Sequence, residues 1–185
     1  MLPAIHTQDL DIIICSKEHA SLYADFVLRN KAFHGPWDPL RPDEYYSVKY
    51  WERELSASKS MVEAGSFFRF TVFEKDKPKM IIGQCALSNI ARGVMQSANM
   101  GYALDRRFTG RGYMTQTVLA VVDYAFGALN LHRIQAGYMP HNRKSGKVLK
   151  RCGFRIEGYA KNYILIDGKW EDHILTSRTN HNWTV

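Results

Sequence analysis

A short segment rich in arginine and glycine, residues 106–114, joins two stretches of different periodicity and limits the possible fold more than any other part of the chain. Residues 99–104 before it are typical of a strand. Apolar residues recur after it at helical spacing: Met114, Val118, Val121, Val122, Ala125 and Leu129. Two glycines separated by one residue let the backbone turn sharply, and a helix that begins there offers unpaired amides and a positive dipole end. The segment therefore predicts a pocket for a phosphate-bearing ligand.

Residues 107–112 have the form R-x-x-G-x-G, and Arg106, Arg107 and Arg111 add cationic donors at the same place. No Gly-Lys-Ser/Thr follows, so the motif is not a P-loop, and its spacing differs from the G-x-G-x-x-G of dinucleotide-binding folds. Alone, the motif also fits an ordinary turn between a strand and a helix. That alternative stays open.

Length and composition indicate one domain, residues 1–185, with a full-sized core. The net charge of +7 favours a polyanionic partner: a nucleotide-type cofactor, RNA or the ribosome. No apolar run has the length of a membrane span, and no secretion signal is recognisable, so we expect a cytoplasmic protein without a membrane partner. The three cysteines and seven histidines show no metal-ligand spacing, and we expect no metal.

Patterns along the chain predict a mixed α+β fold, in which a mostly antiparallel central sheet has two helices on each face. Strands are expected at residues 11–15, 67–73, 80–87, 99–104, 133–139, 159–166 and 170–176, and helices at 17–31, 42–64, from 114 onwards and at 143–152. The turns Glu74–Lys79 and Asp167–Lys169 are expected to close two hairpins.

A second motif, Asn142-x-x-Ser145, opens the short helix near the C-terminus. At about 100° per residue, Ser145 falls on the same side as the apolar residues Val148 and Leu149, and the lysines and arginines fall on the other side. An inward hydroxyl needs a partner. Two simpler interpretations stay open: Asn142 only caps the helix, and Ser145 only binds a backbone carbonyl one turn earlier.

Together, the R-x-x-G-x-G loop and the later N-x-x-S…G-F helix resemble the GCN5-related N-acetyltransferase (GNAT) superfamily. Within it, the chain most resembles the RimJ/RimL group of ribosomal-protein alanine N-acetyltransferases. That closer resemblance lies in Pro36-Trp37, Ser88-Asn89, Arg92-Gly93 and residues 138–142, 153–161, 163, 166–168, 170 and 172–173. It implies a GNAT-like acyltransferase fold and an enzyme that uses acetyl-coenzyme A (acetyl-CoA) as co-substrate.

The resemblance also implies roles for individual residues. The loop that holds the pyrophosphate of acetyl-CoA corresponds to Arg107, Phe108, Thr109, Gly110, Arg111 and Gly112. The strand at Leu104 is expected to pair with the pantetheine arm, and Asn142 to bind it. Ser145 matches a cofactor-binding hydroxyl that also assists the departing thiolate, a catalytic role that suits a donor aimed at developing negative charge.

The chain departs from the family where a general acid or base is usually found. The corresponding positions hold Leu149, Gly137 and Ile164. An α-amino group is roughly 10–15% neutral at pH 7, whereas a lysine is well under 0.1% neutral, so a site without a strong base is far less handicapped on a protein N-terminus. A water chain that ends at Tyr102, Tyr138 or His173 is the expected proton path, with Tyr138 as the catalytic candidate.

Recognition of the acceptor is assigned to Trp37 and Tyr102. Residues 34–39 with Tyr45, Tyr46 and Trp51 form one wall of a peptide groove in this interpretation, and the alternative is that these aromatics belong to the core. The basic face at residues 143–151 suggests cofactor phosphates or ribosomal RNA, unless it is simply solvated.

The leading hypothesis is direct acetyl transfer, in a ternary complex, to the N-terminal alanine of a ribosomal protein, with possible association with the ribosome or its RNA. The residues specify no oligomeric state. One alternative keeps the chemistry and makes a small-molecule amine the acceptor. Another, from a different class, is a non-catalytic RNA- or ribosome-binding module.

Overall fold

Alternating apolar side chains in the central strands build a sheet with a hydrophobic core on each face. In the strand Leu10–Ile14, Leu10, Ile12 and Ile14 enter one core and Ile13 packs against the other. This alternation is what a strand covered on both sides requires. This strand therefore lies between two layers of helices, with apolar side chains on both of its faces.

The computed structural model describes residues 2–184 and contains one eight-stranded sheet with helices on both faces. The strands are β1 (Ala4–His6), β2 (Leu10–Ile14), β3 (Phe68–Glu74), β4 (Gly83–Ala91), β5 (Ser97–Leu104), β6 (Arg133–Tyr138), β7 (Arg155–Ile166) and β8 (Lys169–Thr179). The α-helices are α1 (Ala20–Arg29), α2 (Lys31–His34), α3 (Val48–Glu63), α4 (Tyr113–Gly127) and α5 (Arg143–Arg151).

The strand order is β1-β2-β3-β4-β5-β6-β8-β7, and every neighbouring pair is antiparallel except β5 with β6. The parallel pair is joined through α4, as a crossover connection requires. The expected mixed, mostly antiparallel sheet is confirmed.

Helices lie on both faces of the sheet as expected, although the chain forms five of them, with the short α2 as the additional one. On one face, Tyr23 and Phe26 of α1 and Trp51 of α3 form a core with Phe73. On the other face, the side chains of α4 and α5 pack against the strands, including Val118 of α4. Within residues 2–184, no helix combines the length and apolar character needed to cross a membrane.

Several predicted boundaries were wrong, and local hydrogen bonds explain the main ones. The helix expected at 17–31 is broken at Asn30, whose side-chain amide donates to the Phe26 carbonyl at 2.9 Å. The helix expected at 42–64 begins at Val48, because the Ser47 side chain accepts from the Tyr50 amide and caps it. The strand expected at 80–87 is β4, which begins only at Gly83. β7 begins before the expected residue 159, β8 extends beyond 176, and β1 was missed.

Candidate active site

A wedge-shaped gap opens in the middle of the sheet where β5 and β6 separate. These strands pair only at Ser97–Arg133, Ala98–Ile134 and Asn99–Gln135. Beyond that point β5 stays paired with β4 as far as Leu104, and β6 stays paired with β8 as far as Tyr138. The two unpaired edges line a cavity of about 850 Å³. Free strand edges carry backbone donors and acceptors that can pair with an extended ligand.

The glycine loop borders the same cavity at the N-terminus of α4. Gly110 and Gly112 line the cavity and have φ angles of +84° and +81°, a conformation that favours glycine. Gly112 caps α4 without a side chain, and the first helical hydrogen bond runs from the Gln116 amide to the Gly112 carbonyl. The first amides of a helix have no intrahelical partner. The end of α4 is therefore suited to bind an anion, as the motif predicts.

The cationic part of the expected site lies elsewhere than the sequence suggested. Thr109 lines the cavity, but the side chains of the other three predicted loop residues are not among its lining. The Arg107 guanidinium is paired with Asp105 at 3.0 Å, Phe108 is buried in the core, and the Arg111 guanidinium lies 5.0 Å from the centre of the Phe108 ring. The cations that line the cavity come from α5: Arg143, Lys144, Lys147 and Arg151.

A buried carboxylate, which no sequence motif indicated, fixes the start of the loop. Asp105 is 1% exposed and accepts hydrogen bonds from the Arg29 side chain at 2.7 Å and from the Arg107 amide at 2.9 Å. Burial alone would raise its pKa, but the hydrogen bonds from Arg107 and Arg29 outweigh burial and hold the pKa of Asp105 well below its ordinary value. The Asn30 side-chain oxygen also accepts a hydrogen bond from the Arg106 amide at 3.1 Å. The glycine loop is thus anchored to the end of α1.

Asn142 and Ser145 lie together at the N-terminus of α5, at the edge of the cavity. The Asn142 side chain accepts from the Ser145 amide at 3.2 Å, so Asn142 does cap this helix. The Ser145 hydroxyl lies 2.9 Å from the Tyr102 hydroxyl, which also lies 3.1 Å from the Ser145 carbonyl. All three residues line the cavity. Burial raises the pKa of Tyr102, so the phenol keeps its proton and remains a donor.

The loop after α2 brings an aromatic and an acidic side chain to the cavity. Trp37 packs against His141, with ring centres 5.3 Å apart, and both line the cavity. His34 lies with its Nε2 atom 2.9 Å from the Leu104 carbonyl at the wedge. Asp38, which the sequence analysis did not single out, lines the cavity as well.

The proposed wider wall of aromatics is wrong. Trp51 and Tyr45 are buried in the core between the sheet and α1 and α3, and Tyr46 packs against that core. None of the three is among the residues that line the cavity within the described chain. The core alternative applies to them because the Trp51 ring stacks on Tyr23 and the Tyr45 ring meets those of Tyr46 and Trp51 edge-on.

Tyr138 and His173 also line the cavity, on the β6–β8 side. Tyr138 packs against α5 at Gly146, where an added Cβ would lie 2.7 Å from its ring. His173 is 5% exposed, and its Nδ1 atom lies 3.0 Å from the Glu171 carbonyl. A carbonyl can only accept, so Nδ1 carries a proton, and whenever the ring is neutral its Nε2 atom is the acceptor. Both side chains named for the expected proton path therefore lie at the cavity, and the path itself stays a prediction.

The cysteines are buried behind the cavity wall, and Cys85 is the cross-strand neighbour of Tyr102. Cys15, Cys85 and Cys152 are buried, and none of them is among the cavity-lining residues of the described chain. Burial raises the pKa of Cys15 and of Cys152 to about 11 and raises that of Cys85 as well. Within residues 2–184, no three His, Cys, Asp or Glu side chains are grouped so that they could hold a metal ion.

Comparison with known proteins identifies relatives with the same overall architecture. Residues 14–155 match the model of the acetyltransferase (GNAT) domain family. The [ribosomal protein uS5]-alanine N-acetyltransferase of Escherichia coli (strain K12) is 40% identical over 161 residues, which cover 87% of this chain and 82% of that protein.

Two solved structures superpose on nearly the whole chain. The ribosomal-protein-S5-alanine acetyltransferase of Vibrio fischeri has a TM-score of 0.94 at 36% identity, covering 99% of this chain and 100% of that one. Mycobacterium smegmatis RimJ, in complex with a CoA disulfide, has a TM-score of 0.88 at 26% identity, covering 100% and 89%. The cavity, the glycine loop and these matches lead to one assignment: the chain belongs to the GNAT family of acetyltransferases and is an N-acetyltransferase.

Proposed function

We propose that this enzyme transfers an acetyl group from acetyl-CoA to the α-amino group of an N-terminal alanine of a ribosomal protein. The observation that carries the proposal is the convergence of the glycine loop, the open edge of β5 and the Ser145–Tyr102 pair on one cavity. The 40% identity to an enzyme named for acetylating the alanine of ribosomal protein uS5 supports the choice of acceptor. Family membership argues against the non-catalytic RNA-binding alternative.

The cavity fits acetyl-CoA in size, shape and charge. Gly110, Gly112 and the free amides of α4 suit a pyrophosphate, and the lining cations of α5 suit further phosphate. The unpaired edge of β5, which ends at Leu104, offers backbone groups to the amides of the pantetheine arm. When bound, acetyl-CoA supplies an activated thioester.

In the proposed reaction, the amine attacks that thioester directly while both substrates are bound. Ser145 donates a hydrogen bond to the departing sulfur, and Tyr102 orients the Ser145 hydroxyl. The cysteines are buried and are not among the described residues that line the cavity, which supports direct transfer over an acetylated enzyme. The proton lost by the amine passes to water or to the Nε2 atom of His173, with Tyr138 beside this path.

Acetyl transfer to a peptide panel tests the acceptor. Peptides that begin with alanine are expected to gain one acetyl group at the α-amine, whereas peptides with a blocked N-terminus and an internal lysine are expected to stay unmodified. Tandem mass spectrometry locates the acetyl group. Transfer to small amines with no reaction at any free peptide N-terminus would favour the small-molecule alternative.

Association with ribosomal RNA and the cytoplasmic location remain predictions.

Replacing Gly112 by alanine is expected to weaken acetyl-CoA binding. The added methyl group would meet no neighbouring atom, but a residue other than glycine at a φ angle of +81° is less stable by roughly 1–2 kcal/mol. We therefore expect the loop to change its backbone conformation and to move the amides that bind the phosphate. The Km for acetyl-CoA should rise about tenfold with little change in the peptide Km. Gly127→Ala in α4 is the matched control, since no atom lies within 4 Å of its added Cβ and its φ angle is ordinary. Equal Km values for the Gly112 variant and the wild type would contradict the assigned role of the loop.

A further inference from the structure

The cavity contains a single acidic side chain among the described residues that line it, and this is Asp38. All of its lining lysines and arginines belong to α5: Arg143, Lys144, Lys147 and Arg151. A bound acyl donor is an anion, whereas an amine acceptor arrives mostly as a cation at pH 7. Asp38 is therefore the lining side chain whose negative charge suits a cationic amine acceptor.

The carboxylate of Asp38 has no partner within the part of the chain that the structure describes. No residue among 2–184 donates a hydrogen bond to it, and no cation lies within 4.0 Å. The charged groups that face it are Arg41 and His34. The Arg41 guanidinium lies over the Tyr45 ring at 4.7 Å, and His34 is bonded at Nε2 to the Leu104 carbonyl. A partly buried carboxylate that no cation or donor pairs with is less favourable than one that is fully hydrated.

The backbone, and not the carboxylate, holds Asp38 in place. Its amide donates to the Gly35 carbonyl at 3.3 Å, and its carbonyl accepts from the Asp167 amide at 3.0 Å. Residues 35–37 form a tight turn that contains Pro36, and the Trp37 ring rests on His141. The position of this side chain is thus fixed while its charged group stays available to a ligand. Such an arrangement is typical of a binding residue.

We propose that Asp38 binds the protonated α-amino group of the acceptor through a charge-assisted hydrogen bond, beside Trp37. The proposal rests on the proposed function and names the group that recognises the acceptor amine. Asp38 is assigned to binding and not to proton abstraction, because a carboxylate is a weak base towards an α-amino group. A peptide with a blocked N-terminus carries no charge there and would leave the carboxylate unpaired.

The test is the Asp38→Asn variant, which keeps the shape and removes the charge. The peptide Km is expected to rise about 10- to 100-fold, as loss of a hydrogen bond to a charged group predicts, while the acetyl-CoA Km stays within twofold. The Tm should be equal or higher, because the variant removes a partly buried charge that has no partner among the described residues. Asp38→Glu keeps the charge and is expected to hold the peptide Km within tenfold of the wild type. Asp43→Asn is the control, since its side chain is fully exposed at 105%.

The outcomes separate this inference from the proposed function. If the wild-type enzyme acetylates no free N-terminus, the proposed function is wrong. If it does so and Asp38→Asn leaves the peptide Km unchanged, the inference about Asp38 is wrong and the function stands. A peptide Km for Asp38→Glu as high as that of Asp38→Asn would also overturn it. So would a fall in Tm in both variants, since the role of Asp38 would then be structural.

Discussion

Replacing Ser145 by alanine is expected to lower kcat about 100-fold while the Km for acetyl-CoA changes little. Its hydroxyl is placed to stabilise negative charge that develops only as the thiolate departs, and loss of one such donor typically slows catalysis by about 10²–10³. The hydroxyl is held at 2.9 Å from that of Tyr102, so it needs little reorganisation during the reaction. Single-turnover rates with saturating substrates give the measurement. A loss smaller than threefold would contradict the assignment.

Tyr102→Phe provides the complementary measurement on the same pair. Removing its hydroxyl frees the orientation of Ser145 and is expected to lower kcat about tenfold, in line with the net value of one hydrogen bond. In the Ser145→Ala background the same change should have almost no effect, because the group that Tyr102 orients is already gone. Tyr124→Phe on α4 is the control, because this ring packs on Phe70 in the core and is not among the described cavity-lining residues. Additive effects of the two substitutions would show that Tyr102 acts independently of Ser145.

Asp105→Asn is expected to cause the largest loss of stability. The variant removes the charged partner of the Arg29 guanidinium, which keeps Asp25 and the Ile81 carbonyl, and loss of hydrogen bonds to a charged group costs about 1.5–3 kcal/mol. Urea unfolding followed by circular dichroism measures the change in the free energy of unfolding. Asp123→Asn on the exposed face of α4 is the control and should change it by less than about 0.5 kcal/mol. A loss below about 1 kcal/mol for the Asp105 variant would contradict the anchoring role.

The pH dependence of this anchor follows from the direction of the pKa shift. The pKa of Asp105 is lower in the folded protein than in the unfolded chain. Its contribution to stability is therefore complete above the ordinary aspartate value of about 3.9, and it is lost as the pH falls through the folded pKa. The difference in stability between the wild type and Asp105→Asn should accordingly be constant from pH 5 to pH 8 and shrink in strong acid.

The parts of the fold that depend on local periodicity could be predicted from the sequence. Helical spacing after residue 114 predicted α4, and the capping side chain of Asn142 predicted the start of α5. Boundaries that depend on a single side chain, such as Asn30 or Ser47, were missed. An asparagine or serine ends or begins a helix only when the local backbone lets its side chain bond to a nearby amide or carbonyl. The spacing of apolar residues does not show where such a bond forms.

The candidate site was predictable where it follows from backbone conformation and not where it follows from long-range pairing. Gly110 and Gly112 were identified because only a few residue types tolerate their conformation. Arg107 was expected to face the phosphate, yet it is held by Asp105, which also binds Arg29, 76 positions away. No local sequence pattern indicates that Asp105 and Arg29 are paired. Residues 34–39 were expected at the acceptor groove, but no role was assigned to Asp38, because an acid in a turn-rich loop is common and its place in the cavity is visible only in the structure.

The narrow seam between β5 and β6 makes the sheet two half-sheets that share only three residue pairs. A ligand that lies in the wedge and bonds to the free edge of β5 takes the place of a missing strand, so it also becomes part of the framework that holds the two halves together. Ligand that binds only the folded state adds stability in proportion to the logarithm of its concentration, about 2.7 kcal/mol at 100 times its Kd. The resistance of this enzyme to unfolding and degradation would then rise and fall with the supply of its acyl donor.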